Sequence, residues 1–303
     1  MPSEIQPPST DIKLEGSLNG FSMDQFVKAV GPILASVPLD LNAPIIIDMS
    51  KTSFIEPGGL GMLWMIFRKL CERYPTVSIK LPEDIAIQYY LERIGFFSFA
   101  KEYGACLENC QIEEFPEHCE SSHLLEMTFI RNDCDVNAVT LKVINQVSII
   151  LKETLNYSDG DITSFTTTIS EACLNICEHS GSDGIVIAQR YHSAKGAFVR
   201  IGVADAGCGI RASLAQNRPE VNQWSHEKAI DYALEKECSR LPNRGLGLYR
   251  IRQIVSDYGG SMHLRSGNVR AYVMGIDKKI DFFEEDYELA GTQIAIRLAN
   301  RLV

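Results

Sequence analysis

Apolar residues in the first hundred positions alternate between two spacings. Met23, Phe26, Val27, Val30 and Leu34 recur at three- and four-residue steps. That spacing predicts a helix, opened by a Ser22-x-x-Gln25 capping box and kinked at Pro32. Pro44-Ile-Ile-Ile-Asp48 is a short apolar run between turn residues and predicts a buried strand. After the loop Glu56-Pro57-Gly58-Gly59, the helical spacing returns at Leu60, Leu63, Trp64, Phe67 and Leu70. Val77 to Leu81 reads as another strand, and Glu83 to Ile94 as an amphipathic helix ended by Gly95. Strands alternating with helices predict an α/β layer.

The stretch from Glu102 to Ser122 is polar, rich in Glu and Cys, and shows no clean period. It divides the chain into a first domain at 1–104, a linker at 105–122 and a second domain at 123–303. The second domain opens with a strand candidate, Leu124 to Ile130, and a long helical pattern, Val136 to Leu155. Another helix, Ile162 to His179, follows the turn Asn156 to Gly160. Strands Gly184–Tyr191 and Ala197–Ala204 flank a hairpin-like turn, Ser193–Gly196. Helices at about His226–Cys238 and Leu246–Tyr258 precede three strand candidates, the last being Thr292–Leu298. Helices gathered beside a mostly antiparallel sheet predict an α+β two-layer sandwich.

Composition narrows the function classes. Hydrophobic residues make up 45% of the 303 positions and charged residues 22%, the balance of a globular chain. No apolar run approaches the roughly 18 residues that cross a bilayer. Met1 to Thr10 is polar and proline-rich without an apolar signal core, so a cytoplasmic location is expected. A net charge of −10 opposes broad attraction to nucleic acid or anionic membrane. Nine scattered cysteines point to reduced thiols rather than a disulfide framework. Cys106, Cys110, His118, Cys119 and His123 are zinc-capable, but they lack paired Cys-x-x-Cys knuckles, which favours an ordinary loop.

Three pieces of the second domain carry chemistry. On the helix from Ile162 to His179, the apolar stripe is Phe165, Ile169, Ala172, Cys173 and Ile176. Glu171 and Asn175 sit within about 40° of each other and roughly 120° from the stripe's centre. A carboxylate and a carboxamide one turn apart suit a metal–phosphate site, with Asn175 offering an oxygen to Mg²⁺ and Glu171 acting as a base; a solvated helix face would look the same. The strand Ile201-Gly-Val-Ala-Asp205 ends in an aspartate followed by Gly207 and Gly209. Asp205 can accept from an exocyclic amino group while the glycines let backbone approach a planar base. Last, Asn243-Arg244-Gly245-Leu246-Gly247-Leu248 runs into the helix stripe Leu248, Ile251, Ile254, Val255 and Tyr258. Glycines at a helix start leave N–H groups for phosphate oxygens, and Arg244 adds a charge-assisted contact.

Glu-x-x-x-Asn, Asp-x-Gly-x-Gly and Arg-Gly-x-Gly-Leu in this order, with a late Gly291-Thr292, resemble the GHKL ATP-binding superfamily of gyrase, heat-shock chaperone, histidine-kinase and mismatch-repair ATPases. The resemblance covers about Leu124 to Leu302. It implies Mg-ATP as ligand, Glu171 as catalytic base, Asn175 as the Mg²⁺ ligand and Asp205 as the adenine contact. Gly207 and Gly209 then shape the base pocket, Arg244, Gly245, Leu246, Gly247 and Leu248 form the phosphate loop, and Thr292 supports Asp205. The segment Arg211–Arg244 becomes a mobile lid with its own short helix. Glu-Ala-x-x-Asn-x-x-x-His, here Glu171 to His179, looks most like the anti-sigma-factor serine kinases; a structural histidine at the helix end is the alternative for His179.

In the first domain, Ile45-Ile-Ile-Asp48 followed by Ser53-Phe-Ile-Glu56-Pro57-Gly58-Gly59 resembles the STAS fold of anti-sigma-factor antagonists, over about residues 11–100. In that family a serine after the loop's acidic residue accepts the phosphoryl group. Pro57 holds that place here and has no hydroxyl; Ser53 or Thr52 could substitute only if the loop moved. Together the resemblances imply a partner-switching regulator whose ATPase domain phosphorylates a serine or threonine on a STAS or sigma-factor-like protein, with homodimerisation compatible. The alternative is an ATP-gated binding module with slow hydrolysis and no kinase activity, which the loss of the serine favours. A histidine autokinase ranks third, since its acceptor would be His118 or His123 beside Pro116.

Overall fold

The computed structural model describes residues 10–35, 44–112, 124–131, 136–176, 182–194, 196–235, 247–275 and 279–299. The first part runs β1 (Thr10–Lys13), β2 (Gly16–Leu18), α1 (Met23–Ala35), β3 (Ile45–Asp48), β4 (Thr52–Ile55), α2 (Pro57–Arg73), β5 (Val77–Lys80), α3 (Ile85–Arg93), α4 (Phe96–Glu102) and β6 (Cys106–Glu108). Its main sheet has the order β1-β3-β5-β6 with every pair parallel, as an α/β layer requires. Cys106–Glu108 lies in the stretch that sequence assigned to the linker; it is too short to show a period, yet it closes the sheet edge. Cys106 and Cys110 are exposed free thiols. His118, Cys119 and His123 lie outside the described residues, and no metal-ligand group occurs among the described ones.

Two local expectations need correction. The capping box sits one turn earlier than Ser22–Gln25. Asn19 accepts from the N–H groups of Phe21 and Ser22, and Ser22 is the returning partner. Gly95 ends α3 but also starts α4, its φ of 88° turning the chain so that Phe96, Phe97 and Phe99 reach the core.

The second part runs β7 (Leu124–Ile130), α5 (Val136–Leu155), α6 (Asp159–Asn175), β8 (Gly184–Ser193), β9 (Gly196–Asp205), α7 (Gly209–Ala215), α8 (His226–Ala233), α9 (Gly247–Asp257), β10 (Ser261–Met274) and β11 (Ile280–Ala299). The five-stranded sheet has the order β10-β11-β9-β8-β7 and is antiparallel throughout. Two long strands replace the three late candidates, because bulges at Ser266–Gly267–Val269 bend one hairpin without breaking it.

Strand alternation assigns the two faces of this sheet. Val186, Ala188, Val199, Ile201 and Val203 pack with Val147, Phe165, Ile169 and Ile251 of the helices. Ile185, Ile187, Ala204 and Ala295 point the other way and share a core with Phe26, Leu60, Leu63 and Trp64 of the first part. The expected two-layer sandwich therefore carries the α/β layer on its second face. Sequence left open whether the two parts touch; they pack through α2 on β9 and β11. A Cβ on Gly202 would collide with the Pro57 backbone, and one on Gly61 would lie 3.2 Å from Ala204 Cβ. Glu56, buried at the start of α2, pairs with Arg200 and accepts the Gly20 N–H at 3.0 Å. Burial pushes the Arg200 guanidinium down to about 10. A bidentate Arg131–Glu102 pair at 2.8 Å fastens the boundary elsewhere.

Candidate functional site

Helix α6 positions the acid and the amide. Its N-cap Ser158 accepts the Asp161 N–H, and Ile162, Phe165, Ile169 and Cys173 bury one face. Glu171 and Asn175 fall on the half-exposed side, as their angular offset predicts. Helix α9 starts beside them. A Cβ added to Gly247 would lie 3.4 Å from Glu171 Oε2 and 3.8 Å from Asn175 Nδ2. Both are ordinary contact distances, so acid, amide and helix start converge on one small cradle with Gly247 at its wall.

The Glu171 carboxylate is held by one oxygen: Arg250, one turn into α9, donates to Oε1 at 2.7 Å. Oε2 is buried without a hydrogen-bond partner among the described residues. Arg250 was not singled out by sequence reasoning. The signal was present, since a cation in a first helical turn opposes the helix dipole and calls for a local anion.

The aspartate is built by backbone geometry. Asp205 closes β9, paired with Thr292 on one side and Gly184 on the other. Its Oδ1 accepts the Gly207 N–H at 2.9 Å, and the Thr292 hydroxyl assists. Burial dominates over these hydrogen bonds and pushes the carboxyl up to about 6. Gly291 has φ 92°, and a Cβ on it would collide with the Asp205 carbonyl, so no other residue fits without strain. Gly209, at φ 78°, lies against Ser266, whose Oγ accepts the Ile210 N–H at 2.8 Å.

Asp205 and the cradle are linked through Gly184. A Cβ on Gly184 would lie 2.7 Å from Ile176, the neighbour of Asn175. The strand end and the helix end are thus in contact. Behind them Arg265, fully buried, donates to the Gly267 carbonyl at 2.8 Å and the Leu289 carbonyl at 3.1 Å, bracing the bulge that carries Gly291. Its burial pushes the guanidinium down to about 10. Neither Arg265 nor Ser266 stood out in sequence, because Gln293 and Leu289 of β11, which Arg265 meets, and Ile210 of α7, which Ser266 meets, are far away along the chain.

Of the predicted site residues, the structure brings Glu171, Asn175 and Gly247 together, and Asp205, Gly207, Gly209 and Thr292 together at the adjoining strand end. Leu248 turns its side chain toward the core, leaving its backbone for any phosphate contact. Arg244, Gly245, Leu246 and His179 lie outside the described residues. The described part of the expected lid is folded: Val221, Ala229, Ile230 and Leu234 are buried, and Lys228 stacks over Trp224. A separate cavity of about 520 Å³, lined by Arg211, His226, Asn268 and Glu288 among others, includes none of the predicted residues.

The residues fit a metal-bound nucleotide. Among the described residues, an unpartnered carboxylate oxygen and a carboxamide lie against the start of α9, and at the strand end a buried carboxylate held by Gly207 and Thr292 keeps acceptor capacity for a further hydrogen bond. No helix among the described residues is long and apolar enough to cross a membrane. No curated protein matches the chain. Residues 138–271 match the family model of the histidine kinase-like ATPase domain, a span that contains Glu171, Asn175, Asp205 and Gly247, and the second part of the chain accordingly holds a domain of that ATP-binding type.

Proposed function

We propose that the chain is a partner-switching regulator whose second domain binds Mg-ATP and phosphorylates a serine or threonine on another protein, a STAS or sigma-factor-like regulator. The observation that carries this reading is the convergence of Glu171, Asn175 and the start of α9 on one cradle. Asp205 accepts from the exocyclic amino group of the base, and Thr292 holds its carboxylate in place. Asn175 offers its oxygen to Mg²⁺, while the free N–H groups at the start of α9 receive phosphate oxygens. Glu171 Oε2 accepts the proton of the attacking hydroxyl. Bound Mg-ATP supplies the phosphoryl group and the metal charge that offsets its negative oxygens.

A second reading, an ATP-gated binding module, is favoured by Pro57. On the STAS resemblance this residue stands where the phosphoacceptor would be. It opens α2 and lies buried against β9. The first domain is then no substrate in cis; it is a docked platform that responds to nucleotide through the shared sheet. Product analysis with labelled ATP separates the two. Label on a STAS or sigma-factor-like protein, lost in Glu171→Ala, supports the kinase. ADP and free phosphate without labelled protein support the gated module. No nucleotide binding at all would defeat both.

A further inference from the structure

We infer that Arg250 is a positioning residue, the counter-charge that lets Glu171 stand beside a polyphosphate; this rests on the nucleotide reading above. The Glu171 carboxylate faces the start of α9, the place where that reading puts the phosphates. Two like charges a few ångströms apart repel far more strongly in a half-buried site than in bulk water, because the effective dielectric is lower. An uncompensated glutamate there would expel the very ligand the helix start attracts. Arg250 removes the conflict. Its Nη1 lies 2.7 Å from Oε1, whereas Gly247 faces the other oxygen, Oε2. One oxygen is neutralised and fixed while the other stays bare and aimed at the cradle.

The geometry also accounts for an arginine in the first turn of α9. Alone, a cation there opposes the helix dipole that binds phosphate. Paired with Glu171, the two side chains form a neutral unit that leaves the dipole free to act. The guanidinium is about two-fifths exposed and the carboxylate about one-fifth, so the pair stands at the wall of the site rather than in the core. Lysine would supply the charge but not the planar geometry that fixes the carboxylate's orientation.

Calorimetric titration of the full chain with Mg²⁺ and a non-hydrolysable ATP analogue, and separately with adenosine, tests this. Arg250→Gln is expected to weaken the analogue about tenfold and leave adenosine unchanged, because only the phosphates meet the bare carboxylate. Adding Glu171→Gln to Arg250→Gln is expected to restore analogue binding, and Arg250→Lys to fall between. Unchanged analogue affinity in Arg250→Gln overturns the inference, as does a double variant no better than the single one. Equal losses for analogue and adenosine also overturn it, since they would mark a general structural role. If the wild-type chain binds neither ligand, the nucleotide reading itself fails; if it binds both and Arg250→Gln behaves identically, only the counter-charge fails.

Discussion

Arg68 on α2 reaches across the boundary between the two parts and places Nη1 2.8 Å from Asp183 Oδ2. The carbonyl of the same Asp183 accepts the N–H of Ala206, the residue after Asp205. One residue thus ties the α/β layer to the loop that shapes the candidate base pocket. Both side chains are mostly buried, so the pair is shielded better than a surface bridge. Arg68→Ala is expected to cost about 1–3 kcal/mol of stability, since it leaves the mostly buried Asp183 carboxylate without its ion-pair partner. It is also expected to weaken nucleotide binding several-fold. Thermal unfolding and nucleotide titration together check this; an unchanged midpoint and affinity would show that the bridge transmits nothing.

The docking of α2 depends on absent side chains. A Cβ on Gly202 would meet the Pro57 backbone, which cannot move without lifting the helix start from the sheet. Gly202→Ala is expected to destabilise the chain by about 1–3 kcal/mol through overpacking and to expose the boundary to protease. Gly160→Ala serves as the control. Gly160 sits in the first turn of α6 with its nearest neighbour, Ser158 Oγ, at 3.9 Å, so that variant should be neutral or slightly stabilising. Similar effects for the two would remove the close-packing account of the interface.

Much of this arrangement was legible in the sequence, and the exceptions share a cause. Helices and strands with a long, clean period fell where the apolar spacing placed them, as in Val136–Leu155 and Leu124–Ile130. Cys106–Glu108 and Phe96–Glu102 escaped because three residues show no period and because Gly95 reads as a stop rather than a stop and a start. The Glu171–Asn175 pair was visible as a helical offset, but its neighbour Arg250 is 79 positions from Glu171. Arg265, Ser266 and the Arg68–Asp183 bridge are likewise long-range contacts that no local pattern encodes. Burial of Pro57 against β9 was hidden for the same reason, and the run Glu56-Pro57-Gly58-Gly59, which reads as a loop in sequence, forms the N-cap and first turn of α2.

Backbone strain makes Gly291 a sensitive probe of the base pocket. At φ 92° a side chain is strained, and its Cβ would strike the Asp205 carbonyl. Gly291→Ala is expected to cost about 1–3 kcal/mol in stability and to displace Asp205 enough to abolish measurable nucleotide binding. Thr292→Ala removes only the hydroxyl that steadies the carboxylate, so it should fold normally and bind more weakly. Gly291→Ala retaining wild-type affinity would disconnect the β11 turn from the pocket.

Asp205 itself carries a pH signature. Burial raises its carboxyl to about 6, so above that pH the folded chain holds a buried anion and below it a neutral acid. Its raised value means that protonation favours the folded state. This contribution is fully present below the ordinary aspartate range near 4 and is lost as pH rises through about 6. Ligand binding has the opposite sign. An exocyclic amino group donates to the anion and not to the protonated oxygen, so nucleotide affinity should rise with pH through about 6 and binding should release a proton below it. Asp205→Asn keeps an acceptor oxygen but has no proton to lose. It is expected to bind about 1–3 kcal/mol more weakly at neutral pH and to show a flat affinity profile between pH 5 and 7, a window of about two units around the shifted group. Titrations of both proteins across that range decide the matter: a wild-type profile as flat as that of Asp205→Asn would mean that Asp205 does not meet the base.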